Sequence, residues 1–160
     1  MRINWGGGQK KIEGFINVDL CSEADVIHDL KDSLPIKDGS VEEIMAIHVI
    51  ESFYKPDFLR IIKDWKRVLN GKMTIEFTDL DSTVNLYLSK NEDEYRMGKW
   101  GLYGNQDVPC DPIAYHHYVY TVEELRGILE SEGFTKIEFT KENIQHEPKR
   151  DFRVICYVEK

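Results

Sequence analysis

The sequence predicts an α/β fold, with a mostly parallel sheet and helices packed on its faces. Three observations carry this expectation. Short apolar segments alternate with amphipathic ones along the chain, as in repeated strand–helix–strand units. One of them, Ile44 to Val49, is nearly all apolar, as a strand buried on both faces requires. A run of three glycines follows the first short strand at once, at the edge where a parallel sheet takes its ligands.

In order, Ile3 to Trp5 reads as a brief strand running into Gly6, Gly7 and Gly8. Phe15 to Asp19 is a second strand that ends in an acid, and Ala24 to His28 is a third. Asp38-Gly39 marks the tip of a turn over Pro35 to Ser40. Asp57 to Leu69 is a helix, because Phe58, Ile61, Ile62, Trp65, Val68 and Leu69 form one stripe. Pro56 suits its start and Asn70-Gly71 its stop. Met73 to Phe77 is then a strand. Thr121 to Glu132 is a second helix, with Thr121 and Glu124 as a capping box and Gly133 as its end. Phe134 to Thr140 and Phe152 to Val158 are closing strands. The stretch from Asp81 to Tyr120 is the least regular, with one helix over Val84 to Lys90 and then a long loop rich in Trp, Tyr, Gly and His. With neither repeat nor linker, residues 1–160 read as one domain.

Composition narrows the function. A net charge of −8 argues against a nucleic-acid binder, which needs clustered Lys and Arg. Cys21, Cys110 and Cys156 are scattered, with no CxxC pair, so neither a metal site nor a disulfide framework is expected. The N-terminus has no apolar signal region and no apolar run nears the ~20 residues that span a bilayer, so a cytoplasmic, non-membrane protein is expected.

Three glycines alone are most often a plain turn. Asp19, which follows Gly8 by 11 residues, adds to them. In a parallel sheet its carboxylate falls beside the glycine loop, where it can accept bonds from both hydroxyls of a ribose. The plain alternative is a solvated acid at a strand end. Position 11 is Lys11, so there is no GxGxxG, and the span to Asp19 is too short for a normal crossover helix. A pyrophosphate thus lacks its helix N-terminus. A nucleoside without phosphates, such as S-adenosylmethionine (SAM), suits this loop better than NAD.

Ile-Asn-Trp-Gly-Gly-Gly (3–8), Gly-Phe-Ile-Asn-Val-Asp-Leu (14–20) and Ala-Asp-Val-Ile-His-Asp-Leu (24–30) resemble the opening of small class I SAM-dependent methyltransferases of the type 11 group. Segments 34–41, 46–53 and 67–72, and then Leu102 to Gln106, Tyr120-Thr121 and Glu132 to Phe134, continue the likeness in order. The resemblance implies a Rossmann-like three-layer sandwich whose last strand runs antiparallel to the rest. It implies Gly6 and Gly8 around the methionine part of SAM, Asp19 on the ribose, and Asp29 with Leu30 near the adenine. Asn4, Gly7, Leu20 and His48 are its further cofactor contacts. Three positions depart from the family pattern: Gly7 stands where Cys is usual, Ser52 replaces a second His, and Thr78 rather than Pro precedes Asp79.

Methyl transfer from a sulfonium needs alignment more than acid–base help. The candidates for the acceptor side are His116, His117 and Asp79, with His116 preferred because the resembling family has a His four residues before the aromatic of Tyr120-Thr121. Their plain readings are two loop histidines and a helix cap. Trp100, Tyr103, Tyr115, Tyr118 and Tyr120 line a pocket or, more simply, pack a loop. Two functions follow: a methyltransferase acting on a small-molecule or sugar-type acceptor, or a non-catalytic SAM-binding domain of the same fold.

Overall fold

The computed structural model describes residues 1–106 and 115–159; Cys110 lies outside them. Its elements are β1 (Arg2–Trp5), β2 (Ile16–Asp19), β3 (Val26–Ile27), β4 (Val41–Ile47), α1 (Lys55–Val68), β5 (Leu69–Thr78), α2 (Leu80–Tyr87), α3 (Glu92–Tyr103), α4 (Val122–Ser131), β6 (Thr135–Thr140) and β7 (Asp151–Tyr157). One seven-stranded sheet has the order β3-β2-β1-β4-β5-β7-β6. β7 is antiparallel to both its neighbours, and every other pairing is parallel. This is the Rossmann-like arrangement with a reversed last strand. The order turns back between β1 and β4, which opens a crevice at their carboxyl ends. No helix of the described residues is long and apolar enough to cross a membrane.

The sheet has unequal faces. Trp5, Ala46, Ile75 and Val154 are register partners across four strands, and all are buried. Trp65 of α1 meets Trp5 edge-on at 5.4 Å, and Arg126 of α4 lies 4.7 Å over Phe139 of β6. Both helices therefore cover this apolar face, whose burial supplies the main favourable term in folding. The other face carries Asn4, Glu43, Lys72, Thr74, Glu76 and Arg153, with ion pairs Lys72–Glu43 at 2.7 Å and Arg153–Glu76 at 2.8 Å. Chain segments cover its upper end. Asn4 Nδ2 donates to the Lys10 carbonyl, and the Gln145 and His146 amides donate to Glu76 Oε1. The run from Gly6 to Phe15 holds no helix, as the short spacing requires.

The structure corrects two boundaries. Asn70-Gly71 does not form a loop after α1; β5 begins at Leu69. Gly71 allows this because a Cβ there would lie 2.3 Å from the Glu42 carbonyl, where β5 has one more residue than β4 between paired positions. The irregular stretch also contains α3, which the sequence reading left as loop. Asn91 caps it by accepting from the Asp93 and Glu94 amides, and three acids sit in its first turn. Its glycines are packing positions. A Cβ on Gly98 would lie 2.2 Å from the Tyr87 amide nitrogen of α2, and one on Gly101 would lie 2.8 Å from the Thr83 methyl.

Two glycine substitutions separate packing from propensity. Gly98→Ala forces α2 and α3 apart and lowers Tm by several degrees. Gly127→Ala, in the middle of α4 with open space around it, adds roughly 0.5–1 kcal/mol of stability, a rise of about 1–4 °C. Thermal melts of both variants against the parent check the pair.

Candidate functional site

The crevice is built from the ends of β1, β2 and β4. Gly6 has φ 69°, and a Cβ there would lie 2.5 Å from a Val49 methyl, so only glycine lets the chain turn here. Gly7 faces inward. A Cβ on it would lie 2.0 Å from Asn4 Nδ2 and 2.1 Å from Asn17 Oδ1, which are bonded to each other at 3.0 Å. The Asn4–Asn17 pair thus explains why no side chain is tolerated where the resembling family has Cys. Asn17 also donates to the Gly8 carbonyl at 2.7 Å.

Asp19 is 5% exposed. Its Oδ2 accepts from the Gly8 amide at 2.8 Å and its Oδ1 from the Cys21 amide at 3.0 Å. Each oxygen keeps a further acceptor site. The carboxylate therefore both ties the glycine loop to β2 and faces the cleft. That cleft has a volume of about 150 Å³ and is partly open to solvent. Asp19, Leu20, Asp29 and Leu30 line one side, and His48, Val49, Phe53 and His117 the other, with Gly6 between. Asp29 also accepts from the Lys31 amide at 2.9 Å, so its strand-end turn and its place in the cleft coexist.

His48 has φ 51°, a left-handed conformation uncommon outside glycine. Its ring is enclosed by carboxylates: Nε2 lies 3.1 Å from Asp151 and 3.8 Å from Glu76, and Nδ1 lies 3.4 Å from Glu51. All three acids are fully buried. Burial disfavours the imidazolium, but Asp151 and Glu51 outweigh it and raise its pKa from 6.5 to about 9. Burial likewise opposes the charges of Glu51 and Asp151, and His48 reverses it, so both carboxyls titrate below their ordinary values. Arg150 holds Asp151 through two bonds of 2.6 and 3.0 Å, and Arg153 holds Glu76.

His48, Glu76 and Asp151 place ligand atoms within 4.8 Å of one another, which is metal-site spacing. The charges argue otherwise. Two guanidiniums and one imidazolium already balance three carboxylates, leaving no net negative charge for a divalent cation.

The remaining expected residues fall elsewhere. Asn4 and Gly7 line a second groove beside the cleft, with Lys10 and His146. Gly8 acts through Asp19. Asp79 caps: its oxygens accept from the Ser82 amide at 2.9 Å and the Val122 amide at 3.3 Å, joining the starts of α2 and α4. His116, the preferred histidine, does not line the cleft. Its Nδ1 lies 2.7 Å from the Gly101 carbonyl and its ring stands edge-on to Trp100. It lines a neighbouring open depression of about 310 Å³ with Leu80 and Leu102. His117 borders both spaces, meets the Tyr54 ring at a tilt with centroids 4.5 Å apart, and donates its amide to the Glu51 carbonyl at 2.7 Å. Tyr118 and Tyr120 pack against each other and the core. Sequence reasoning missed Asn17, Glu76, Arg150, Asp151 and Arg153. The one available signal was Glu76, a charge inside an apolar strand.

No family model and no curated protein matches the chain. Solved structures do. A SAM-dependent methyltransferase from Methanosarcina mazei is 17% identical with a TM-score of 0.67, over 98% of this chain and 91% of that one. One from Archaeoglobus fulgidus is 16% identical with a TM-score of 0.65, over 98% and 85%. A putative methyltransferase from Haloferax volcanii, solved with the Trm112 methyltransferase activator, is 12% identical with a TM-score of 0.66, over 99% and 82%. These likenesses establish the fold.

The His48 cluster has a pH signature. A pKa raised on folding gives stability that is complete below about pH 6.5 and is lost as pH rises through about 9. Tm should therefore fall between those values, and the slope should flatten in His48→Gln. Equal slopes in parent and variant would refute the charged state assigned to His48.

Proposed function

We propose that this chain binds SAM in the cleft and transfers its methyl group to a small-molecule acceptor. The observation that carries the reading is Asp19: a buried carboxylate, fixed by two amides, that still presents acceptor sites to a ligand beside a glycine no Cβ could replace. The fit is to a nucleoside. Asp19 accepts the ribose hydroxyls, and Asp29 and Leu30 meet the base at the far end of the cleft. The likeness to SAM-dependent methyltransferases in fold supports the same choice.

The bound donor supplies a methyl group already activated on a positive sulfur. The protein's part is to position the acceptor's lone pair in line with it and to keep water out. The cavity bordered by His117 supports a transferase over a domain that only binds SAM, because it adjoins the cleft and has room for an acceptor. His117 is then the polar side chain nearest both ligands. His48 is not assigned as the base, since the neighbouring Asp151 and Glu51 favour its charged form. Asp79 and His116 shape the acceptor side through α2 and α3.

Calorimetry tests the reading. S-Adenosylhomocysteine should bind the parent protein, and NAD should not. Asp19→Ala should weaken S-adenosylhomocysteine roughly ten- to a hundredfold, through the lost hydroxyl bonds and the two released amides. Unchanged affinity in the variant would remove Asp19 from the site. In a labelled-methyl assay on a metabolite mixture, His117→Ala should cost more turnover than His116→Ala.

A further inference from the structure

The run from His28 to Ser40, between β3 and β4, holds no helix, and a pocket opens where it passes α1. Trp5, Leu30, Lys31, Asp32, Arg60 and Asp64 line it. Its volume is about 150 Å³, the size of a cavity that takes a benzene-sized molecule. This pocket is distinct from the cleft. Leu30 and Lys31 border both spaces, whereas Trp5, Asp32, Arg60 and Asp64 border the pocket and not the cleft.

Trp5 is 1% exposed, its ring stands edge-on to Trp65, and its Nε1 has no acceptor among the described residues. Buried N–H donors are nearly always bonded, so an acceptor is expected from the pocket that Trp5 lines. The charges around it are unequal. Arg60 pairs with Asp57 on its own helix. Asp64 is engaged, since its Oδ1 accepts from Arg67 Nε at 2.8 Å and its Oδ2 from the Leu34 amide at 3.1 Å. Among the described residues, Lys31 makes no ion pair and the Asp32 carboxylate takes no hydrogen bond. The pocket thus offers an indole N–H and an ammonium to an anionic group, and a carboxylate to a cationic one.

Adjacent residues of opposite charge beside a buried donor complement a small molecule that carries both signs. We propose that this pocket binds a small α-amino acid, its carboxylate on the Trp5 N–H and the Lys31 ammonium and its ammonium on Asp32. Arg60 adds a second cation to the wall. Leu30 and Lys31 stand between the pocket and the cleft, so this is a second binding site, and its assignment does not depend on what fills the first.

The test is an NMR titration that follows the indole N–H signal of Trp5. Alanine at millimolar concentration should shift that signal saturably. Propionate and ethylammonium each keep one of its charges, and they should bind about tenfold more weakly, the scale of one charge-assisted bond. Asp32→Asn and Lys31→Gln, both at exposed positions, should each weaken alanine by a similar factor. Asp19→Ala, in the cleft, should leave alanine binding unchanged. A Trp5 signal that does not move overturns the proposal, because water then serves the N–H. Propionate binding as tightly as alanine overturns it as well, because Asp32 then contributes nothing. Loss of alanine binding in Asp19→Ala would place the ligand in the cleft and overturn it too.

Discussion

The charge network around His48 is the constraint on which the carboxyl edge of the sheet depends. Glu51 sits in the short turn after β4, and its Oε1 accepts from the Thr78 amide at the end of β5. Its carbonyl accepts from the His117 and Tyr118 amides. Glu76 of β5 takes the amides of Gln145 and His146 and the guanidinium of Arg153. Asp151 of β7 takes Arg150 and the Glu147 amide. Three strand ends and two connecting segments thus converge on three carboxylates, and desolvating them is tolerable only because three cations stand among them. Removing one member leaves an uncompensated buried charge, so the network holds the loops of the cleft in one arrangement.

The same economy explains why the fold stands with no helix between β1 and β3. The apolar face takes α1 and α4 and most of the hydrophobic burial. The opposite face is polar enough to be closed by hydrogen bonds. The Asn4–Asn17 pair bridges β1 and β2 where a helix would otherwise dock, with the Lys10 and Gly8 carbonyls as further acceptors. Gly7 follows from it, since a Cβ would displace that bond.

Much of this was legible in the sequence. The helix stripe of α1, the capping box of α4, the acid ending β2 and the missing crossover helix are local signals, and each appears where the residues place it. The failures were of another kind. Gly98 and Gly101 read as loop because glycine's local preference and its use in close packing look the same without the partner helix. Asp79 carried both an acceptor-side and a helix-cap reading, and one of its two amide partners comes from a helix distant in sequence. The His48 network joins residues about a hundred positions apart, Glu51 to Asp151, and nothing in their spacing brings them together. His116 and His117 are adjacent, and only the turn held by the Glu51 carbonyl decides which of them reaches the cleft.

The network also sets the polarity of the site. An isolated imidazolium in the cleft wall would repel a sulfonium and disfavour the proposed donor. His48 stands between Asp151 and Glu51, so its charge is offset within a few ångströms and the wall is nearly neutral toward the cleft. Arg150 and Arg153 are likewise spent on Asp151 and Glu76. Asp19 and Asp29 remain as the carboxylates of the cleft, with Lys31 beside them. On the proposed reading, a donor with ribose hydroxyls and a positive sulfur meets carboxylates at its nucleoside end and a nearly neutral wall beside His48. The buried balance of charge around His48 is what keeps that wall from opposing a positive sulfur.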